Sequence, residues 1–193
     1  MQTAPEFDAQ RAAYREQEDS RLIEASRHDP DAFAALYHRY ADAIFWYLVS
    51  RTGSPDDAAD LTQLAFLRAY QALPTYRERG LPFRAWLLRI ARNAAADAHR
   101  RRRPTLPWDR LGASLSLAAP AQPEIAALED DLADRLRELI AQLGPDKQEL
   151  LALRYAADLT IREIAALRNK SEAATRKELQ RIIWSLKEDL LHE

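Results

Sequence analysis

Residues 76–103 read YRERGLPFRAWLLRIARNAAADAHRRRR. After Pro82, the residues Phe83, Trp86, Leu87, Ile90, Ala91, Ala94 and Ala98 recur at spacings of three and four, which predicts an amphipathic helix with one continuous apolar stripe. Its opposite side carries Arg89, Arg92, Asn93, Asp97 and Arg100. Ahead of the helix, aromatic residues alternate with Arg77, Arg79 and Arg84, and behind it stands the run Arg100 to Arg103. Unstacked nucleic-acid bases require this mixture, a flat ring to lie on and cations for the phosphates. Core packing of Phe83 and Trp86 beside a solvated charge run explains the same residues, so this stretch alone leaves both readings open.

Upstream, Phe33, Leu36, Tyr37, Tyr40, Ala41, Ile44 and Leu48 mark another amphipathic helix, expected to end near Thr52-Gly53. Ser54-Pro55-Asp56-Asp57 then has the make-up of a helix start: a capping hydroxyl, proline in the first turn, and acids at the positive end of the dipole. The helix is expected to run to about Leu73. The spacing of Asp56, Asp57 and Asp60 can also hold magnesium on a helix face, but no second metal motif accompanies it, and a capping role is the simpler reading. Leu61 and Leu64 share one face while Phe66, Tyr70 and Leu73 share another. That apolar surface is broader than one core contact needs, so part of it is expected to face a partner.

Downstream, Pro104, Pro107, Pro120 and Pro123 interrupt a stretch with no sustained apolar period, which reads as a linker. Beyond it, Leu132, Leu136, Leu139, Ile140 and Leu143 predict a helix stopped by Gly144-Pro145, and a second follows from Asp146 to about Tyr155. Thr160-Ile161-Arg162-Glu163 is a capping box, with Leu159 and Ile164 placed as a hydrophobic staple. After Arg168-Asn169-Lys170, Ser171 can cap a last helix whose apolar face is Thr175, Leu179, Ile182, Ile183, Leu186 and Leu190. Two helices joined by a short turn, the second basic on its exposed side, suggest a helix-turn-helix. On that helix Arg176, Lys177, Gln180 and Arg181 are in position to reach a DNA groove.

Composition narrows the classes. The 193 residues include no cysteine, so disulfides, thiolate nucleophiles and cysteine-held zinc are out. Four glycines cannot build many phosphate cradles, the four histidines show no metal spacing, and no nucleotide-loop or hydrolase-elbow motif occurs. Neither an enzyme nor a cofactor or metal is expected. Without an apolar run near 18 residues, and with a polar first twenty, the chain is expected to be soluble and cytoplasmic, without membrane insertion. A formal net charge of −2 argues against nucleic acid until it is divided: residues 20–103 carry +5, and residues 168–187 hold six basic and two acidic side chains.

The strings DLTQLAFLRAYQAL (60–73), Tyr76 to Trp86 and LLRIARNAAADAHRRRR (87–103) closely resemble region two of bacterial sigma factors of the extracytoplasmic-function class. LRYAADLTIREIAAL (153–167) and ATRKELQRIIWSLKEDL (174–190) resemble their region four. The resemblance implies an all-α protein of two small helical domains joined by an extended linker. An acidic N-terminal extension would occupy 1–20, region two 21–103, the linker 104–131 and region four 132–193.

It further implies a non-enzymatic specificity subunit that binds core RNA polymerase through the beta and beta-prime subunits and directs it to promoter DNA. An anti-sigma factor is an additional candidate partner. By position, Asp60, Gln63, Leu64, Phe66 and Arg68 would dock on the polymerase. Arg77, Arg79, Phe83, Arg84, Trp86, Arg89, Arg92, Asn93, Asp97 and Arg100 would melt and read the minus-ten element, with Asn93 on an extruded base. Ser171, Glu172, Arg176, Lys177, Gln180 and Arg181 would face the minus-thirty-five element. Arg168 stands where the family's turn usually has glycine, and Glu178 where a basic residue is common, so an acid is expected to face DNA and either weaken region-four contact or alter its sequence preference. The alternative is a polymerase-independent helix-turn-helix regulator, which would leave the docking helix and the aromatic loop without a task.

Overall fold

Helix boundaries follow from local chemistry in the computed structural model, which describes residues 17–77, 81–101 and 123–191. Helix α1 occupies residues 17–25. Helix α2 (Pro30–Thr52) starts on Asp29, whose carboxylate accepts from the Asp31 N–H at 2.9 Å, with proline in the first turn. It stops at Gly53, which adopts φ 66°, ψ 8° and donates its N–H to the Val49 carbonyl; glycine takes this left-handed geometry without steric cost. Ser54 caps α3 (Pro55–Ala72), where Asp56 and Asp57 sit in the first turn, and a 3-10 turn over Leu73–Thr75 follows.

Helix α4 is Phe83–Arg101 and α5 is Pro123–Gln142. Proline at a first helical position gives up only an N–H that would lack a partner anyway, so α5 begins inside the stretch read above as linker. The Gln148 amide donates to the carbonyls of Ile140, Ala141 and Leu143, closing the end of α5 onto α6 (Pro145–Leu151). The expected continuation of α6 to Tyr155 is instead a wide π turn over Ala152–Ala156, with Ala157 N–H bonded to the Ala152 carbonyl. Helix α7 (Ile161–Arg168) carries the complete Thr160–Glu163 capping box, and α8 is Glu172–Leu191.

The described residues are helical or loop, with no strand among them. The bundle of α2, α3 and α4 buries Leu36, Ile44, Tyr47, Leu48, Leu73, Phe83, Leu87 and Leu88. Helix α1, which apolar spacing did not predict, adds Ile23 to this core and buries Asp19. Helices α5 to α8 gather around Leu150, Leu153, Leu159, Ile164, Leu179 and Ile182. The two groups are packed together: α2 meets the 152–156 turn, α4 meets α7, and their apolar side chains form one continuous cluster. Residues 1–16 and 104–122, which hold most of the expected extension and linker, lie outside the described residues.

Phe83 is 2% exposed and packs against Tyr40, Tyr76 and Trp86 at ring separations of 5.9, 5.8 and 5.4 Å. Phe83→Ala should therefore cost about 3–5 kcal/mol of folding stability. Urea unfolding followed by circular dichroism measures this, and a loss below about 1 kcal/mol would place the ring at the surface.

Candidate nucleic-acid interface

Three surfaces carry the residues singled out by sequence. On α3, Asp60 and Gln63 are exposed, Leu64 is half-buried, and Phe66 is buried. The Phe66 ring lies 4.6 Å from Tyr37 and 6.3 Å from Phe33, and Phe33 lies 4.9 Å from Tyr70. Phe66 thus supports an aromatic cluster from beneath, while the apolar groups offered outward are Tyr37, Leu67 and Tyr70. Sequence reasoning did not place these three in the docking set, although their spacing around Phe66 put them on one α2–α3 face. Arg68 pairs with Asp97 of α4 at 3.3 Å, joining the two helices.

The second surface is α4 with the loop before it. The Tyr76 hydroxyl donates to the Leu81 carbonyl at 3.3 Å, bringing the loop ends together, and Trp86 lies half-buried with its ring 4.7 Å from Tyr76. Arg77 is exposed and donates to the carbonyls of Pro74 and Tyr76; Arg79 lies outside the described residues. Arg89, Arg92, Asn93 and Arg100 are exposed at helical spacing and form one polar face. Asp97 is half-buried between Arg68 and Arg100. Two expected contact residues are placed otherwise. Phe83 is a core residue, because the stripe that positions Trp86 also carries it inward. Arg84 is 7% exposed, donating to the Ala157 carbonyl and pairing with Asp158 at 3.4 Å.

The polar residues behind this surface are linked. Asp19 is buried, accepting from Arg39 Nη1 at 2.8 Å and from the Tyr40 hydroxyl. Burial raises its pKa, and hydrogen bonds from Tyr40 and Arg39, with the Arg39 and Arg84 charges, only partly oppose that. Burial, with the Asp19 charge beside it, likewise pushes the Tyr40 phenol far above its ordinary range.

The third surface is the helix-turn-helix. Asn169 takes φ 54°, ψ 44° after α7, a left-handed geometry that asparagine tolerates, so the turn forms without the glycine usual in the family. Ser171 Oγ accepts from the Ala174 N–H at 3.2 Å and caps α8. Ser171, Glu172, Arg176, Lys177, Gln180 and Arg181 are all exposed on the outer side, while Thr175, Leu179 and Ile182 face the core. Glu178 does not project as an isolated acid. It accepts from Arg168 at 3.2 and 3.1 Å and from Lys170 at 2.9 Å, tying α8 to the turn. Partial burial would raise its pKa, but the bonds from Lys170 and Arg168 and their charges prevail and lower it.

Residues 36–105 match the family model for sigma-70 region 2, and residues 133–186 match that for sigma-70 region 4. BldN of Streptomyces coelicolor, an ECF RNA polymerase sigma factor, is 33% identical over 86% of this chain; the match spans 63% of BldN's own length. SigD of Mycobacterium tuberculosis, of the same description, is 32% identical over 90% of this chain and 84% of its own. The structure of CnrH in complex with the cytosolic domain of CnrY is similar at a TM-score of 0.64 and 25% identity, covering 90% of this chain and 97% of that one. The chain belongs to the ECF sigma factors of RNA polymerase. Among the described residues no helix is long and apolar enough to cross a membrane.

The depressed Glu178 carboxyl stabilises the fold above its unfolded pKa and loses that contribution as pH falls through the folded value. Thermal unfolding of the wild type should thus fall away more steeply than that of Glu178→Gln below about pH 4.5. Curves that stay parallel down to about pH 3 would remove Glu178 from the stability of the turn.

Proposed function

We propose that this chain binds core RNA polymerase and directs it to promoters, holding the melted minus-ten strand on α4 and reading the minus-thirty-five duplex with α8. The observation that carries the reading is the polar face of Arg89, Arg92, Asn93 and Arg100 beside the Tyr76–Trp86 aromatic pair, within a chain of the ECF family. Arginines answer phosphates, and an amide has both donor and acceptor for the pairing edge of a base taken out of the stack. Arg77 and Trp86 flank the strand, and Arg79, two residues after Arg77 in the sequence, is assigned to it as well.

Docking on the polymerase beta-prime and beta subunits falls to α3 and the α2–α3 face, with Asp60, Gln63, Leu64 and Arg68 on the same helix as Phe66, which supports the aromatic cluster. At the other end of the chain, Arg176, Lys177, Gln180 and Arg181 enter the major groove from α8, with Ser171 and Glu172 at its start. The protein contributes recognition and strand separation without a catalytic step of its own, and works in the cytoplasm. Like the sigma factor RpoE of Bartonella quintana, solved with the anti-sigma factor NepR, it is a candidate for control by an anti-sigma factor.

Purified chain mixed with bacterial core polymerase should co-elute on size exclusion and start discrete transcripts from fragments of its own genome. DNA binding without polymerase contact would overturn the reading in favour of an independent helix-turn-helix regulator. Asn93→Ala should lower promoter-specific initiation about 5- to 30-fold, from roughly 1–2 kcal/mol of lost hydrogen bonding, with co-elution unchanged. Equal loss of both activities would count against assigning Asn93 to DNA.

A further inference from the structure

Lys170 has no part in the DNA contacts named so far, yet both of its ends are fixed. Its backbone N–H donates to the Ala165 carbonyl at 2.9 Å, closing the turn after α7, and its Nζ donates to Glu178 at 2.9 Å. The residue stands immediately ahead of Ser171 and Glu172, at the end of α8 that is assigned to the minus-thirty-five duplex. An ammonium carries three donors, and Glu178 takes one, so two remain for an outside acceptor. The side chain is 43% exposed, enough for such an acceptor to reach it.

Glu178 is held as firmly. Arg168 gives both terminal nitrogens to its two carboxylate oxygens, at 3.2 and 3.1 Å, and the Arg168 side chain is only 8% exposed. Two parallel bonds fix the plane of the carboxylate, which a single bond would leave free to turn. Along α8, Glu178 lies one helical turn from both Ala174 and Arg181, at the edge of the outer face. Two cations and one anion leave the cluster one positive charge, and the Lys170 head is its more exposed cation.

A lysine side chain ordinarily loses rotamer freedom when it meets a phosphate, and that loss weakens the contact. Here the freedom is given up on folding, because the turn and the carboxylate already hold both ends. We propose that Lys170 is a phosphate contact for the duplex at the minus-thirty-five element and that Glu178 is its positioning residue, so that this acid strengthens DNA binding. This rests on the assignment of α8 to that duplex. The sign is opposite to the one that charge alone gives: removing a carboxylate from beside phosphates tightens binding by simple repulsion, whereas removing a positioning residue loosens it.

The test uses the full chain with core polymerase, on a fragment recovered from the initiation assay, either intact or cut to remove the minus-thirty-five duplex. Fluorescence anisotropy across a salt series measures binding. Lys170→Ala should lower affinity for the intact fragment about 3- to 10-fold and reduce the slope of log K against log salt by about 0.9, the value for one phosphate. On the cut fragment it should match the parent. Glu178→Gln, which keeps an acceptor for Arg168, should lower affinity for the intact fragment about 2- to 3-fold, and should add nothing once Lys170 is alanine. Lys170→Arg, which keeps the charge, should keep the parental slope. Co-elution with core polymerase shows that each variant is folded.

Unchanged affinity and slope in Lys170→Ala would overturn the contact. Tighter binding by Glu178→Gln would overturn the positioning role and leave the acid a plain repellent. An equal loss on the cut fragment would assign the effect to folding and reject both. If the parent starts no transcript from any fragment, the promoter reading fails and Lys170 with it, whereas initiation by the parent beside any of the negative results leaves that reading standing and rejects only the roles given to Lys170 and Glu178.

Discussion

A guanidinium cannot be taken into a protein interior unless oxygen atoms meet it there, and Arg84 imposes that condition on this fold. Its head group is reached from the 157–158 turn, by the Ala157 carbonyl and the Asp158 carboxylate. Its Nη2 meets those oxygens only when α4 and the turn before α7 converge, while its buried Nε has no partner. Asp19 is in turn fixed by Arg39 and Tyr40 of α2. One inward-pointing cation therefore registers the three-helix bundle against the second half of the chain, Asp19 ties the N-terminal helix to α2, and the shared apolar cluster closes around them.

The backbone that meets Arg84 is unusual in its own right. The 152–156 π turn widens the end of α6, the Leu159 N–H bonds to the Leu153 carbonyl at 3.0 Å, and Arg154 Nη1 donates to the Leu159 carbonyl at 2.8 Å. Asp158 sits at φ 52°, a left-handed position that aspartate tolerates better than branched residues. These departures from regular helix aim the Ala157 carbonyl toward α4. The Thr160 box then restarts a regular helix at once, so the distortion stays confined to the contact with the first half.

Helix boundaries were legible in the sequence wherever a local hydrogen bond sets them. Ser54, Thr160, Ser171 and Asn169 each act on backbone within a few residues, and a short window contains everything their geometry needs. Helix α1 was missed because only Leu22 and Ile23 supply its apolar face; its anchor is the polar Asp19, whose partners lie about twenty residues on. Arg84 was read as facing outward because nothing near it in sequence announces an acceptor 73 residues away. Glu178 was read as an acid facing DNA for the same reason, since its partners Arg168 and Lys170 come back beside it only once the turn has formed. Periodicity identifies which face is buried; it says nothing of which charges will find one another.

The charge balance then makes physical sense. With 28 basic and 30 acidic side chains, the protein is not a general polycation, and several of its arginines are matched to its own acids. Arg92 meets Glu149, Arg168 shares Glu178 with Lys170, and Arg68 shares Asp97 with Arg100. Exchanging a carboxylate for a phosphate leaves the number of hydrogen bonds nearly unchanged, so its free energy is small and is set by what else is gained at the same moment. For a surface of free cations, any DNA would suffice, because phosphate attraction is independent of sequence. On the proposed assignment of α4, where Arg92 must first leave Glu149, random DNA gains less than a strand that also meets Asn93 and the Tyr76–Trp86 rings. Self-neutralisation of this kind raises specificity by lowering the background rather than by strengthening the specific contact.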